Sequence, residues 1–178
     1  MAYYIIFDNT RVFTADNEEA LTALYPDYTP MPLPADYNSD KYIVVNGQLV
    51  LNPEYDALML ARAKESKISE NDIARDNALN EGVTYKDVLF DSDTDQKVNL
   101  LAIVSTMSDE DTIVWFGMDN VPLECTKQDL INIGGLITML HTFCWNKNAL
   151  IKQAINEAET VEEVEAIEID YTMPEEGE

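Results

Sequence analysis

An acidic run in the middle of the chain comes closest to a residue pattern that catalyses reactions or binds metal. Asp91, Asp93 and Asp95 alternate there with hydroxyl-bearing residues. A phosphatase nucleophile motif of this spacing requires threonine where Asp95 stands. A calcium-binding EF-hand loop requires glycine and glutamate where Gln96 and Ala102 stand. We therefore predict that the run is an acidic cap at the N-terminus of a helix, and neither a catalytic nor a calcium site.

The soft metal ligands of the chain, methionine aside, are Cys125, His141 and Cys144. A structural zinc site normally takes four cysteine or histidine ligands at short spacings, so we predict no zinc site, two buried free thiols, and His141 at a helix surface or boundary. The sequence also lacks Gly-x-Ser-x-Gly, a phosphate-binding glycine loop and a dinucleotide fingerprint. We therefore predict a non-enzymatic protein with no catalytic residue, cofactor or metal.

Tyrosines crowd the first part of the chain, beside a proline-rich stretch. They are Tyr3, Tyr4, Tyr25, Tyr28, Tyr37 and Tyr42. They could form an aromatic recognition surface. The favoured alternative is that most of them pack a small core that is short of leucine and isoleucine.

The charge balance limits the partners of the chain. Its 34 acidic and 11 basic residues give a formal net charge of −23. Such a chain lacks the cations that displace counterions from phosphate, so we predict no nucleic-acid binding and no docking on an anionic membrane. The stretch Leu130–Asn146 has no charged residue but is too short to span a membrane, and Met1–Asp8 lacks the basic start of a signal peptide.

Local signals predict small elements in the N-terminal part. We expect a hairpin over 2–13, a short helix capped by Asp16, and an extended proline-rich connection over 26–38. Asn46-Gly47 lies between two β-rich runs and predicts a type I′ hairpin turn. Residues 1–51 are therefore predicted to be a β-hairpin-rich unit with one short helix.

The remaining chain is predicted to contain a connecting helix over 52–82, a C-terminal α+β domain over 83–170 and an acidic tail over 171–178. Within the domain we expect a hairpin around Lys86-Asp87, a helix after the acidic run, and strands over 112–118 and 121–125. The predicted fold class is α+β. It combines the N-terminal hairpin unit, the connecting helix, and short β-ribbons packed on three helices, of which one is long.

The long helix is predicted over about 127–158, starting at a capping box of Thr126 and Asp129. A stripe at three- and four-residue spacing runs along it through Leu130, Ile133, Ile137, Leu140, Cys144, Lys147, Ile151, Ala154 and Ala158. Beyond Lys147 only a short final helix could cover the stripe. Either Val161, Val164 and Ile167 fold back on it or another chain does, and we assign Ile151, Ile155 and Ala158 as candidate partner-binding residues.

The order of several short motifs resembles a domain of unknown function from tailed-phage genomes, found in and beside tail-fibre and tail-fibre-assembly proteins. The resemblance covers residues 53–170 and is carried by Val83–Asp93, the helix starting at Gln96, Val114–Asn120, Thr126–Leu130 and Thr160–Glu163. That domain usually has Asn-Gly at its first hairpin, where this chain has Lys86-Asp87.

The resemblance implies a non-enzymatic phage protein that binds a tail-fibre or receptor-binding protein, as an assembly chaperone or a retained cap. It would act in the host cytoplasm during assembly, or stay on the virion tail, and it could form homo-oligomers. The alternative is a structural virion subunit of the tail, baseplate or fibre.

Overall fold

A computed structural model describes residues 1–174 of the chain, which fall into two units. The N-terminal unit comprises residues 1–61, and the C-terminal unit begins at Arg62. The division falls inside the helix that the sequence places between two modules. Both units contain helices and small antiparallel sheets, so the predicted α+β class is confirmed.

The N-terminal unit is built from two small sheets and one short helix. Its elements are β1 Tyr3–Phe7, β2 Arg11–Ala15, α1 Glu18–Leu24, β3 Met31–Pro32, β4 Tyr42–Val45 and β5 Gln48–Leu51, followed by the start of α2 Tyr55–Asn80. One sheet has the antiparallel order β2-β1-β3, and β4 pairs with β5. The cap of α1 is Asn17 and not the predicted Asp16, because Asn17 Oδ1 accepts a hydrogen bond of 2.8 Å from the backbone N–H of Ala20.

Left-handed residues turn both hairpins of this unit. Asn46 and Gly47 have φ angles of 52° and 75°, which confirms the predicted type I′ turn. Asp8 and Asn9, with φ of 50° and 57°, turn the first hairpin in the same way. Short polar side chains tolerate this conformation, which explains a tight turn without glycine.

The tyrosines of the N-terminal unit pack mainly against other rings. Tyr25 stacks on Phe13 with ring centroids 5.2 Å apart, and Tyr28 stacks on Phe7 at 5.3 Å. Beside this cluster Ile5 is fully buried. The arrangement agrees with the favoured interpretation, in which aromatic rings fill a small core.

The C-terminal unit contains two ribbons and three further helices after the rest of α2. Its elements are β6 Val83–Tyr85, β7 Val88–Phe90, α3 Thr94–Thr106, β8 Thr112–Phe116, β9 Pro122–Thr126, α4 Lys127–Glu157 and α5 Val161–Glu165. The strands pair antiparallel as β6-β7 and β8-β9. Lys86 and Asp87 have φ of 49° and 62°, so this hairpin keeps a left-handed turn without Asn-Gly.

The core of this unit lies where α4 meets α3 and both ribbons. Its fully or nearly buried members are Val88, Phe90, Leu100, Cys125, Leu130, Ile133 and Ile137. A smaller cluster of Ala78, Leu140 and Cys144 joins α2 to α4. The first half of the predicted stripe on the long helix is therefore core, as expected.

Gly82 ends α2 in a conformation that only glycine adopts easily, with φ of 75°. A Cβ there would also overlap the backbone carbonyl oxygen of Phe90. We expect Gly82→Ala to lower the free energy of unfolding by about 1–3 kcal/mol. Gly134→Ala is the matched control, because a Cβ at Gly134 meets nothing within 4 Å and alanine favours a helix interior by about 1 kcal/mol. Urea unfolding of the two variants measures the difference, and equal stability would contradict the strained glycine.

The predicted capping box is present at the start of α4, and a second capping box occurs at the start of α5. Thr126 and Asp129 exchange side-chain to backbone hydrogen bonds of 3.0 and 3.2 Å at the start of α4. Thr160 and Glu163 do the same at the start of α5. The predicted tail over 171–178 lies partly outside the described residues, which end at Pro174. Within residues 1–174, no helix combines the length and the apolar character needed to cross a membrane.

Candidate interaction surface

The acidic run is a helix cap in the structure, as predicted. Asp93 Oδ1 accepts a hydrogen bond of 2.7 Å from the backbone N–H of Gln96 and so caps α3. Ser92 between the aspartates is buried, and its hydroxyl donates to the Leu79 carbonyl. Among residues 1–174 no group of three or more histidines, cysteines or carboxylates is placed to hold a metal ion.

The two thiols and the histidine have structural surroundings. Cys125 and Cys144 are fully buried, and burial raises the pKa of each thiol, which keeps it protonated. His141 is half-buried: its Nε2 donates to the Ser92 carbonyl at 2.7 Å, and its Nδ1 accepts from the Lys97 ammonium at 3.1 Å. Neither cysteine nor the histidine is therefore free to act as a nucleophile or general base.

The candidate partner-binding residues on α4 are mostly covered by the chain itself. Ile151 is 6% exposed, Ile155 is fully buried, and Ala158 is half-buried. Val164 of the final helix is also buried. Of the two alternatives left open by the sequence, coverage by the same chain is the one found, so these side chains are not available as a docking surface.

A buried polar network, which the sequence did not predict, lies between α2 and α4. Asn71 is fully buried and donates from Nδ2 to the Asn148 carbonyl at 3.3 Å. Asn148 donates in turn from Nδ2 to Asp72 Oδ1 at 3.0 Å, and Tyr171 donates its hydroxyl proton to Asn71 Oδ1 at 2.8 Å. The Lys152 ammonium, 2.7 Å from the Asp72 carboxylate, holds the pKa of Asp72 below its ordinary value.

Because of this network, the buried face of α4 differs from the predicted stripe in the second half of the helix. Past Cys144 the buried positions are Asn148, Ile151 and Ile155, whereas Lys147 is only half-buried and Ala154 is exposed. The spacing from Cys144 through Asn148 to Ile151 is still four and three residues. This spacing could have predicted that Asn148 is buried. It was not used, because asparagine is seldom buried without dedicated hydrogen-bond partners.

A second polar cluster fixes the start of α4 to the β6–β7 turn. The Asp129 carboxylate accepts hydrogen bonds from the Tyr85 hydroxyl at 2.8 Å and the Thr126 backbone N–H at 3.0 Å, and it pairs with the Lys86 ammonium at 2.8 Å. Lys86 first, then these hydrogen bonds, hold the pKa of Asp129 well below its ordinary range. The cluster has a structural role, because it ties the start of α4 to the β6–β7 turn through Tyr85 and Lys86.

The lowered pKa of Asp129 predicts an acid-dependent loss of stability. A carboxyl group with a depressed pKa in the folded state stabilises the protein above its unfolded pKa, and this contribution is lost as the pH falls below about 4. We expect the difference in unfolding free energy between the wild type and Asp129→Asn to shrink between about pH 5 and pH 3. Urea titrations at several pH values measure it. A difference that stays constant over this range would contradict the ionised cluster.

An exposed apolar face lies between α3 and α4. Leu101 is 72% exposed and Ile131 is 44% exposed, on neighbouring helices. Between them runs an open trough of about 330 Å³, whose lining includes Leu101, Val104, Leu130, Ile131, Gly134 and Thr138. We call this surface the α3–α4 face.

The α3–α4 face is nearly free of charge although the chain carries −23. No carboxylate lines the trough, and Lys97 at one end is its single charged lining residue among the described part of the chain. The segments 98–107 and 130–146 that border it contain no Asp, Glu, Lys or Arg. Exposed apolar side chains around an uncharged trough are typical of the centre of a protein–protein interface.

Comparison with known proteins places the C-terminal unit in a family. A family model described as "Domain of unknown function (DUF4376)" matches residues 62–172, which is more than half of the chain. The match begins at Arg62, where the C-terminal unit begins. No curated protein and no solved structure matches the chain. The chain therefore belongs to the DUF4376 family, through the unit that carries the two ribbons, the buried polar network and the α3–α4 face.

Proposed function

We propose that the protein is a non-enzymatic, tail-fibre-associated protein of tailed phages. It binds a fibre or receptor-binding protein, as an assembly chaperone or as a cap that stays on the fibre. Its place of action is the host cytoplasm during assembly, and the virion tail for a retained cap. The link to tail fibres rests on the motif order over residues 53–170.

The observation that carries the binding role is the α3–α4 face. It presents large apolar side chains to solvent on a chain that otherwise has a strong excess of carboxylates. Leaving Leu101 and Ile131 in water forgoes the stabilisation that burial of such side chains gives. A partner that covers them recovers it, which supports a function in protein–protein association.

The acidity of the chain supports a role as a cover for a β-rich partner. Unpaired strand edges of a β-rich protein promote aggregation unless another chain covers them. A partner with a net charge of −23 keeps the complex soluble and repels other copies of itself. This is the behaviour expected of an assembly chaperone.

The surroundings of the reactive side chains support the non-enzymatic part of the proposal. Asp93 is engaged in capping a helix, and Asp129 is engaged in the cluster at the start of α4. His141 has both ring nitrogens in hydrogen bonds. These groups stabilise the fold.

Co-expression with the product of the neighbouring fibre gene tests the proposal. We expect a complex that survives affinity purification, and a larger soluble fraction of fibre protein than in expression without this chain. The N-terminal unit alone, as residues 1–61, has no α3–α4 face and is the negative control in the same pull-down. Absence of a complex together with unchanged fibre solubility would refute the proposal.

Mass spectrometry of purified phage particles distinguishes an assembly chaperone from a retained cap. A chaperone is absent from mature virions, and a retained cap is present at the copy number of the fibre. Presence in the particle without binding to the fibre protein would instead favour the alternative, a structural subunit of the tail or baseplate.

A further inference from the structure

Helices α3 and α4 form an antiparallel pair, and the trough of the α3–α4 face lies between residues 97–104 of α3 and residues 130–138 of α4. At one end Lys97 Nζ lies 3.1 Å from His141 Nδ1. At the other end Lys127 Nζ lies 3.1 Å from Asp109 Oδ1, beyond the last turn of α3. Two contacts at opposite ends fix the direction of the pair. The groove between antiparallel helices has the shape that a third helix fills, with ridges of side chains packed into it.

Gly134 lies in the wall of this groove, at a position where packing within the described residues does not require glycine. A Cβ at Gly134 would meet nothing within 4 Å, and the same holds for Gly135. Glycine within a helix weakens it relative to alanine. The missing side chain at Gly134 lowers the wall of the trough and lets another backbone approach closely.

The charges at the two ends of the groove are alike. Asp91, Asp93 and Asp95 lie at the start of α3, and Asp109, Glu110 and Asp111 lie just after its end. Both ends of α3 thus carry carboxylates, whereas no carboxylate lines the trough between them. A complementary ligand is apolar in the middle and basic at both ends.

We propose that the α3–α4 face binds one amphipathic helix of the partner protein, with apolar residues along one side and lysine or arginine at both ends. The 13 residues of α3 span about 20 Å, so the bound helix has about four turns. Leu101 and Ile131 pack on either side of it, and it crosses closest at Gly134. The inference deepens the proposed function, because it defines the segment of the fibre protein that is recognised.

Synthetic peptides test the chemistry without the fibre protein. The first probe is a helix of about 15 residues, with leucines at i, i+3, i+4 and i+7 and two lysines at each end. The second has glutamates at its ends, and the third keeps the lysines but scrambles the leucine spacing. By fluorescence anisotropy with the full chain, we expect the first probe to bind and the other two to bind at least about tenfold more weakly. Absence of binding by the first probe, or equal binding by the third, would overturn the inference.

Variants of the full chain locate the binding site. Leu101→Glu and Gly134→Leu should each weaken the first probe by at least about tenfold, the first by placing a charge in the trough and the second by filling it. Leu150→Glu is the matched control on an exposed apolar position of α4 outside the trough, and it should bind as the wild type does. Thermal unfolding checks that all three variants fold. Simple attraction between a basic peptide and an acidic protein would instead make Leu101→Glu bind more tightly, and that result would also overturn the inference.

The same variants in the fibre pull-down separate the two proposals. Loss of the complex in Leu101→Glu and Gly134→Leu, but not in Leu150→Glu, supports both. A fibre complex that all variants retain refutes the helix site but not the proposed function. Peptide binding without any fibre complex refutes the proposed function but not the helix site. A wild-type dimer in sedimentation that dissociates in Leu101→Glu would show that a second copy of the chain covers the face, and would overturn the inference.

Discussion

Ile151→Asp is expected to unfold the C-terminal unit at neutral pH. Ile151 is 6% exposed and lies between Asn148 and Ile155 on the buried side of α4. The substitution removes a buried aliphatic side chain and puts a carboxylate in its place. The neighbouring Lys152 already pairs with Asp72. Loss of apolar burial and an unpaired buried charge together should cost about 4–5 kcal/mol or more, most of the stability of an ordinary domain.

Leu150→Asp is the matched control for this prediction, one residue away on the same helix. Leu150 is 64% exposed, so its replacement should change the unfolding free energy by less than about 1 kcal/mol. Circular dichroism and urea unfolding of both variants measure the contrast. If Ile151→Asp stayed folded but lost a partner, the original assignment of Ile151, Ile155 and Ala158 as partner-binding residues would be right and the observed burial irrelevant to function.

Phe90→Ala is expected to destabilise the unit by about 3–5 kcal/mol, since it removes a large side chain from a closely packed core. Phe90 is 1% exposed and belongs to the cluster formed by both ribbons, α3 and α4. The cavity cannot close easily, because pairing with β6 fixes the backbone of β7.

Leu89→Ala is the control, since Leu89 precedes Phe90 on the same strand and is 40% exposed. We expect it to cost less than about 1.5 kcal/mol. A fluorescence-monitored urea titration gives both values. Similar losses for the two variants would mean that the ribbon does not have the alternating buried and exposed faces described here.

Sequence signals located the elements well where the physical cause is local. Asn46-Gly47 needs only its own φ preference to form a turn, and the capping boxes at Thr126 and Thr160 need only residues three positions on. Lys86-Asp87 shows the limit of such rules. Neither residue favours a left-handed turn as glycine does, yet Lys86 gains a salt bridge with Asp129 that only the folded unit offers.

The candidate site was not predictable from the sequence, because exposure of a helix face depends on which neighbours the fold provides. The sequence predicts a helix after the acidic run, but it does not reveal that Leu100 of this helix is buried in the core while Leu101 faces solvent. For the same reason, Ile151 of α4 was predicted to bind a partner, whereas the structure buries it within the chain. Burial on either helix follows from packing between elements distant in sequence, which no local period encodes.

The bond from Tyr171 to Asn71 has a consequence for synthesis of the chain on the ribosome. It joins residues separated by 100 positions, at opposite ends of the matched family region. Helix α2 is complete long before Tyr171 is translated, so in the nascent chain the side-chain carbonyl of Asn71 lacks the hydroxyl that later satisfies it. The polar network between α2 and α4 is therefore complete only when Tyr171 has emerged, and until then the nascent unit is one hydrogen bond short at a buried asparagine.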